Sequence, residues 1–105
     1  MEKEYIVFEG ILIELPHEAP RCGDIKVAVG YSFIVVRNIR GRSLKGTVVV
    51  LIPCPDFKSK DFFISNGRYH IESMVDSEES GSHTIFNQYS NVSTVLWCDK
   101  IEPVK

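Results

Sequence analysis

Residues 25–36 read Ile25-Lys26-Val27-Ala28-Val29-Gly30-Tyr31-Ser32-Phe33-Ile34-Val35-Val36. Ile25, Val27, Val29, Tyr31, Phe33 and Val35 recur at every second position, the spacing at which one face of a strand repeats. Gly30 interrupts the run. A glycine inside a long strand marks a bulge or the bend where one strand serves both sides of a small barrel. Downstream, Asn38 to Leu44 is polar, basic and glycine-containing, which reads as a turn. Gly46-Thr47-Val48-Val49-Val50-Leu51-Ile52 is then a continuous apolar run of strand length, stopped by Pro53-Cys54-Pro55.

Upstream, Tyr5 to Leu15 is apolar except at Glu9, Gly10 and Glu14, so it reads as a long strand with both faces partly covered and a bend at Gly10. Pro16 to Asp24 carries two prolines that cannot donate to a ladder and a Gly-Asp pair, which makes it a loop. Further on, Asn66-Gly67 is the dipeptide that reaches positive φ at least cost. Phe62, Phe63 and Ile64 precede it, and Tyr69, Ile71 and Val75 follow, so a hairpin is expected there. Asp76 to Ser82 offers no apolar group and reads as a solvated loop; Thr84 to Tyr89 is ambiguous. Val92 to Ile101 is the last strand, anchored by Trp97.

Composition agrees with a sheet protein. Val and Ile number 23 of the 105 residues, whereas Leu and Ala together number 7. β-branched side chains are stiff at χ1 and suit a pleated surface, whereas Leu and Ala favour helices. Five or six strands in a chain of this length fit a single all-β domain over residues 1–105, a small Greek-key barrel of the OB type, better than an immunoglobulin-like sandwich of about seven shorter strands. No apolar run approaches the roughly 20 residues of a bilayer-spanning helix. Met1-Glu2-Lys3-Glu4-Tyr5 shows no basic segment followed by an apolar one, so no export signal is read and the cytoplasm is the default compartment.

The succession Phe8-Glu9-Gly10, Tyr31-Ser32-Phe33-Ile34-Val35-Val36, Leu44-Lys45-Gly46-Thr47-Val48-Val49-Val50, Cys54, Asn66-Gly67-Arg68-Tyr69 and Cys98 resembles the netrin-like (NTR) modules. Within them it is similar to the bacterial domains related to tissue inhibitors of metalloproteinases. The resemblance covers Phe8 to Cys98 and implies an OB-fold barrel with one bridge, Cys54 to Cys98, between the end of strand three and the last strand. It does not carry the inhibitory function, because that rests on an amino-terminal Cys-x-Cys and this chain begins Met1-Glu2-Lys3. The alternative for the cysteines is a set of free thiols in a cytosolic protein. Either way three is an odd count and leaves Cys22 over.

Other chemistry is weighed on the residues present. A zinc site of His17 and Cys22 with Cys54 or Cys98 lacks the paired Cys-x-x-Cys ligands such sites show, so no metal or other cofactor is expected. His17, His70 and His83 lie far apart and no nucleophile motif surrounds a cysteine or serine; His70 alternates with Tyr69 and Ile71 and should face solvent. Glu78 and Glu79 belong to an acidic loop that solvation explains. An enzyme is therefore not expected. Arg37, Arg40, Arg42 and Lys45 make a local basic cluster near Tyr31, which brings in single-stranded nucleic acid as the alternative function of an OB-like barrel. A formal net charge of -2 opposes it, since phosphate binders present broad basic surfaces. The leading expectation is a non-catalytic interaction or accessory domain for another protein, with Tyr31, Arg37, Arg40 and Arg42 as the contact patch. The sequence leaves the oligomeric state open, including dimers formed through an edge at Tyr5 to Leu15.

Overall fold

The computed structural model describes residues 4–17, 20–75 and 77–104. Met1 to Lys3, Glu18, Ala19, Asp76 and Lys105 lie outside them, as do the side chains of Glu78 and Glu79, so parts of the leader and acidic-loop readings fall outside too. Six strands follow in order: β1 (Tyr5–Glu14), β2 (Val27–Arg40), β3 (Thr47–Pro53), β4 (Arg68–Met74), β5 (Thr84–Phe86) and β6 (Val95–Pro103). Short 3₁₀ turns span Pro55–Phe57 and Glu78–Ser82, and no α-helix occurs among the described residues.

β1 pairs antiparallel with β2 on one edge and with β4 on the other. β2 pairs antiparallel with β3, β3 runs parallel to β6, and β6 returns antiparallel to β4. The circuit β1-β2-β3-β6-β4-β1 closes a five-stranded barrel of OB-like order, and β5 adds three residues parallel to Val27–Val29. β1 pairs on both edges within the barrel, so the edge left open by the sequence at Tyr5 to Leu15 is taken by β2 and β4.

The period-two pattern of β2 sets the interior. Val29, Tyr31 and Phe33 point inward with Phe8 and Leu12 from β1, Val48, Val50 and Ile52 from β3, Tyr69 and Ile71 from β4, and Leu96, Cys98 and Ile101 from β6, all nearly inaccessible. Burying such side chains contributes about 1.5–3 kcal/mol each. Ile25 lies outside the strand and is 65% exposed. Trp97 is buried on the outer side of β6 with Ala28 and Met74, against the edge of the His83 ring, so it anchors the strand from outside the barrel.

Two glycines have different roles. The β1–β2 register shifts between Glu9 and Gly10, and a Cβ at Gly10 would lie 3.1 Å from Phe33 Cβ, so the strand bends where interior side chains crowd it. Gly30 marks no bulge: its pairing with Leu51 is in regular register. It is small because Asn87 packs onto it, with Asn87 Oδ1 2.7 Å from where a Cβ would stand.

The expected hairpin at Asn66-Gly67 is half formed. Ile64 to Gly67 is a turn, with the Gly67 N–H donating to Ile64 O at 2.9 Å and Asn66 at φ 69, but only the arm after it is a strand. Both edges of β4 are taken by β1 and β6, so Phe62, Phe63 and Ile64 have no ladder to join. They fold over the barrel end instead, where Phe62 and Phe63 pack against the core.

Candidate functional site

The four residues of the expected contact patch do not come together. Tyr31 faces the interior and is 3% exposed. Arg37 lies six residues further along β2, roughly 20 Å at the usual strand rise. There Arg37 and Arg68 flank Glu9, with Arg68 Nη2 2.6 Å and Arg37 Nη1 3.9 Å from its carboxylate. Arg42 holds Glu4 through two contacts, Nη2 to Oε1 at 2.6 Å and Nε to Oε2 at 2.9 Å. Two of the three arginines therefore sit beside carboxylates, and Arg40 is exposed. A basic stripe for phosphates is not what this end of β2 presents.

The cysteines pair differently from the expectation. Cys22 and Cys54 form the disulfide, with Cα atoms 5.3 Å apart, and Cys98 is free and buried. The Cys54–Cys98 bridge fails because Cys98 points into the barrel from β6, whereas Cys54 lies beyond the end of β3, where the first loop reaches it. Cys54 itself sits at φ 45, and its N–H donates to Val27 O at 2.9 Å, which fixes the chain as it leaves β3. Burial pushes the Cys98 thiol up to about 12. Because Cys22 is bonded to Cys54, the considered set of His17, Cys22 and Cys54 or Cys98 keeps at most the Cys98 thiol, which points into the barrel, and no group of three or more His, Cys, Asp or Glu gathers among the described residues.

What the disulfide does is join two loops around a cleft of about 560 Å³. Leu15, Pro16 and Arg21 line it from the first loop, and Pro55, Asp56, Lys58, Ser59 and Lys60 from the β3–β4 connection, with Tyr31 and Phe63 also in the wall. The Tyr31 and Phe63 rings stack, with centroids 4.4 Å apart and planes 26° from parallel. Asp56 Oδ1 accepts the Cys22 N–H at 3.0 Å, a second tie between the loops beside the disulfide. Lys58 Nζ stands 5.1 Å from the Phe62 ring centroid.

The Phe62–Ile64 segment is held from below. Tyr69 donates its hydroxyl to Phe62 O at 2.6 Å and accepts the Ile64 N–H at 2.7 Å. The Tyr31 side chain is almost wholly buried, with its ring in the cleft wall. Burial pushes its phenol up to about 12, and Tyr69, Tyr89 and Asp56 act in the same direction, so at neutral pH it is a donor. The rim carries the cations Arg21, Lys58 and Lys60 against one carboxylate, Asp56.

A second, smaller cavity of about 370 Å³ lies between Pro16 and His17 on one side and Phe86, Asn87 and Gln88 on the other. Gln88 Oε1 accepts the His17 N–H at 3.0 Å across it. The residues after β5 also cover part of the outer β2–β3 face that OB folds use for oligonucleotides. Asn87 rests on Gly30, and Tyr89 stands beside Ser32, which is 1% exposed. His70 is half-exposed, 3.9 Å from Glu72, as its alternation implies.

Of the cleft lining, Tyr31 was among the expected contacts, whereas the residues of the β3–β4 connection were not. Lys58-Ser59-Lys60-Asp61-Phe62-Phe63 puts cations next to aromatics, a signal for a binding surface. A hairpin arm would set Phe62 and Phe63 on a sheet, whereas they lie over the barrel end with Phe63 in the cleft wall. No helix among the described residues is long and apolar enough to cross a membrane. Compared with known proteins, the chain matches no family model, no curated protein and no solved structure.

Proposed function

We propose that this barrel is a non-catalytic interaction module that holds a segment of another protein in the cleft between its first loop and its β3–β4 connection. One observation carries the reading. A stacked aromatic pair, Tyr31 on Phe63, lines a cavity of about 560 Å³ whose rim is cationic and whose walls are cross-linked by Cys22–Cys54. A cavity of this volume is in the range of ligand clefts, and this one joins an aromatic wall to a charged rim. Two rigidly tied loops bind with less ordering cost than free ones. The barrel order is shared by many unrelated OB folds, so the site and not the fold supports the function. The NTR-like relation remains part of the proposal through the barrel alone, since the bridge it implied is not formed. A disulfide at the mouth of the cleft favours an oxidising compartment over the cytoplasm.

The test is capture on immobilised protein, comparing the native chain with Lys58→Glu/Lys60→Glu in the cleft and Arg40→Glu on the far end of β2. Capture of a protein that survives nuclease, is lost in the cleft variant and is kept in the Arg40 variant supports the proposal. Loss on nuclease treatment, with a steep dependence on salt, overturns it in favour of single-stranded nucleic acid. Capture unaffected by the cleft variant overturns the assignment of the site.

A further inference from the structure

Resting on the cleft reading, we infer that the Cys22–Cys54 bridge is a redox latch: closed, it holds the first loop as one wall of the cleft, and its reduction by a dithiol releases that wall. The two sides of the cleft come from separate stretches of chain, Arg21 on the first loop and Asp56, Lys58 and Lys60 on the β3–β4 connection. Of residues 20–24, Cys22 alone bonds to other segments. Its N–H donates to Asp56 Oδ1 at 3.0 Å, its sulfur accepts the Val27 N–H at 3.3 Å, and its covalent partner is Cys54. The Gly23 N–H turns back on Ile25 O within the loop. With the bridge open, a single hydrogen bond to an exposed carboxylate spans from this loop to the β3–β4 connection, and water competes for it. Exposed loops tied so lightly open locally, ahead of the rest of a fold.

The barrel does not share this dependence. Neither Cys22 nor Cys54 belongs to the interior cluster, and the five-stranded circuit closes without any residue of the loop. Cys98 is 5% exposed and faces the interior, so it takes no part in exchange while the barrel is closed. Cys22 and Cys54 are only half-buried, within reach of a reductant. A thiolate of the dithiol attacks Cys54 Sγ, the S–S bond breaks, and Cys22 Sγ leaves with the electron pair, which the Val27 N–H already faces. The second thiol of the reductant then closes on the mixed disulfide and expels Cys54 Sγ. Two electrons have passed to the protein, each of its sulfurs takes a proton, and the reductant leaves as its own disulfide. The same exchange run backward, from a disulfide donor in an oxidising compartment, rebuilds the wall, so the cleft is complete only there.

The test needs no ligand. Native protein is reduced with dithiothreitol, its accessible thiols are capped with iodoacetamide, and the reagents are removed. Trypsin cleavage after Arg21 is then followed by mass spectrometry against untreated protein. Caps at Cys22 and Cys54 with Cys98 left free are expected, and cleavage after Arg21 at least about tenfold faster. Amide signals should move at residues 20–24 and 54–60 and stay in place along the strands. Cys22→Ser/Cys54→Ser should show the same fast cleavage without reductant, which separates loss of the bridge from the bulk of the caps. No caps, or unchanged cleavage after Arg21, overturns the inference, because the loop then holds whatever the reductant does. A third cap at Cys98 with the strand amides collapsed also overturns it, because the bridge is then a staple of the whole fold. In the capture assay, reduced protein that captures as well as native protein overturns the latch while leaving the cleft as the interaction site. The interaction proposal fails separately, by capture that ignores the cleft variant, a result the cleavage assay does not depend on.

Discussion

Tyr69→Phe isolates what holds the aromatic wall of the cleft in place. The substitution removes one oxygen and keeps the ring, whose centroid lies 6.0 Å from Phe33, 6.0 Å from Phe62 and 6.2 Å from Phe63. Two hydrogen bonds disappear, the 2.6 Å bond donated to Phe62 O and the 2.7 Å bond accepted from the Ile64 N–H. Neutral hydrogen bonds contribute about 1 kcal/mol each, and a group left unsatisfied adds to that only where water cannot reach it. Ile64 is 57% exposed, so its N–H is rehydrated; Phe62 is half-buried. The expected loss is about 2 kcal/mol in urea unfolding with an unchanged m-value, or a fall in Tm of about 8–16 °C. The amide signals of residues 62–64 should also shift, since the segment has lost its tie to β4. A loss under about 0.5 kcal/mol would refute the claim that this hydroxyl fastens the barrel end. A changed m-value would instead place the effect in the unfolded chain.

Three further outcomes are expected. Replacing both bridged cysteines, Cys22→Ala/Cys54→Ala, frees a loop closed across 32 residues and should cost about 3.5–4 kcal/mol in denaturant unfolding; a cost below about 1 kcal/mol would show that the bridge does not restrain the unfolded chain as assumed. Gly41→Ala and Gly46→Ala should differ sharply by thermal melting, although both sites have positive φ, 86 and 67. A Cβ at Gly41 would collide with the Tyr5 carbonyl and lie 3.2 Å from Ile6 Cα, whereas nothing lies within 4 Å at Gly46. The second substitution should cost about 1–2 kcal/mol and the first clearly more; equal melting points would contradict the close approach. Stability should fall at alkaline pH, because Cys98 and Tyr31 are raised to about 12 from ordinary values of 9.0 and 10.0. Above pH 9 the unfolded chain gives up the Cys98 proton that the folded chain keeps, and above pH 10 the same holds for Tyr31. The stabilisation is full below pH 9 and drains by up to ~1.4 kcal/mol per pH unit per group as pH rises toward 12. Urea unfolding at pH 8, 9.5 and 10.5 should show a shallower decline in Cys98→Ala, and parallel declines would sink the explanation.

The parts of the fold that alternation governs were legible in the sequence, and the parts that choice of partner governs were not. Val29, Tyr31 and Phe33 lie inward because a strand has two faces and one was apolar. The same alternation put Tyr31 beside Phe33 in the core, which is incompatible with its placement in a surface patch with three arginines. Arg37 finds Glu9 and Arg42 finds Glu4, residues about 30 to 40 positions away, and no local pattern announces such pairs. Which two of three cysteines meet was a matter of loop path. Cys98 ends the apolar run Val95-Leu96-Trp97-Cys98, in which alternation does not say which face is inward; the fold turns Leu96 and Cys98 into the barrel and Trp97 out of it. Phe62 and Phe63 misled because a strong turn signal at Asn66-Gly67 says where the chain reverses, not whether a free edge waits for the arm before it.

The parallel pairing of β3 with β6 has a consequence for how the chain reaches its folded state. β1, β2 and β3 form a meander from neighbouring segments, but that meander leaves β3 with an empty edge and β1 without β4. β4 in turn needs β6, and β6 needs β3, whose Val49 to Leu51 align with Val95 to Trp97 across nearly half the chain. No subset of strands completes the interior, so closure is a single late event that brings distant segments together. Chains built on such non-local pairings fold over milliseconds to seconds, not microseconds. Until β6 docks, the Val48-Val49-Val50 run stays uncovered and prone to pair with other copies. Refolding yield should therefore fall as protein concentration rises, with light scattering growing fastest before the Trp97 fluorescence change marks closure.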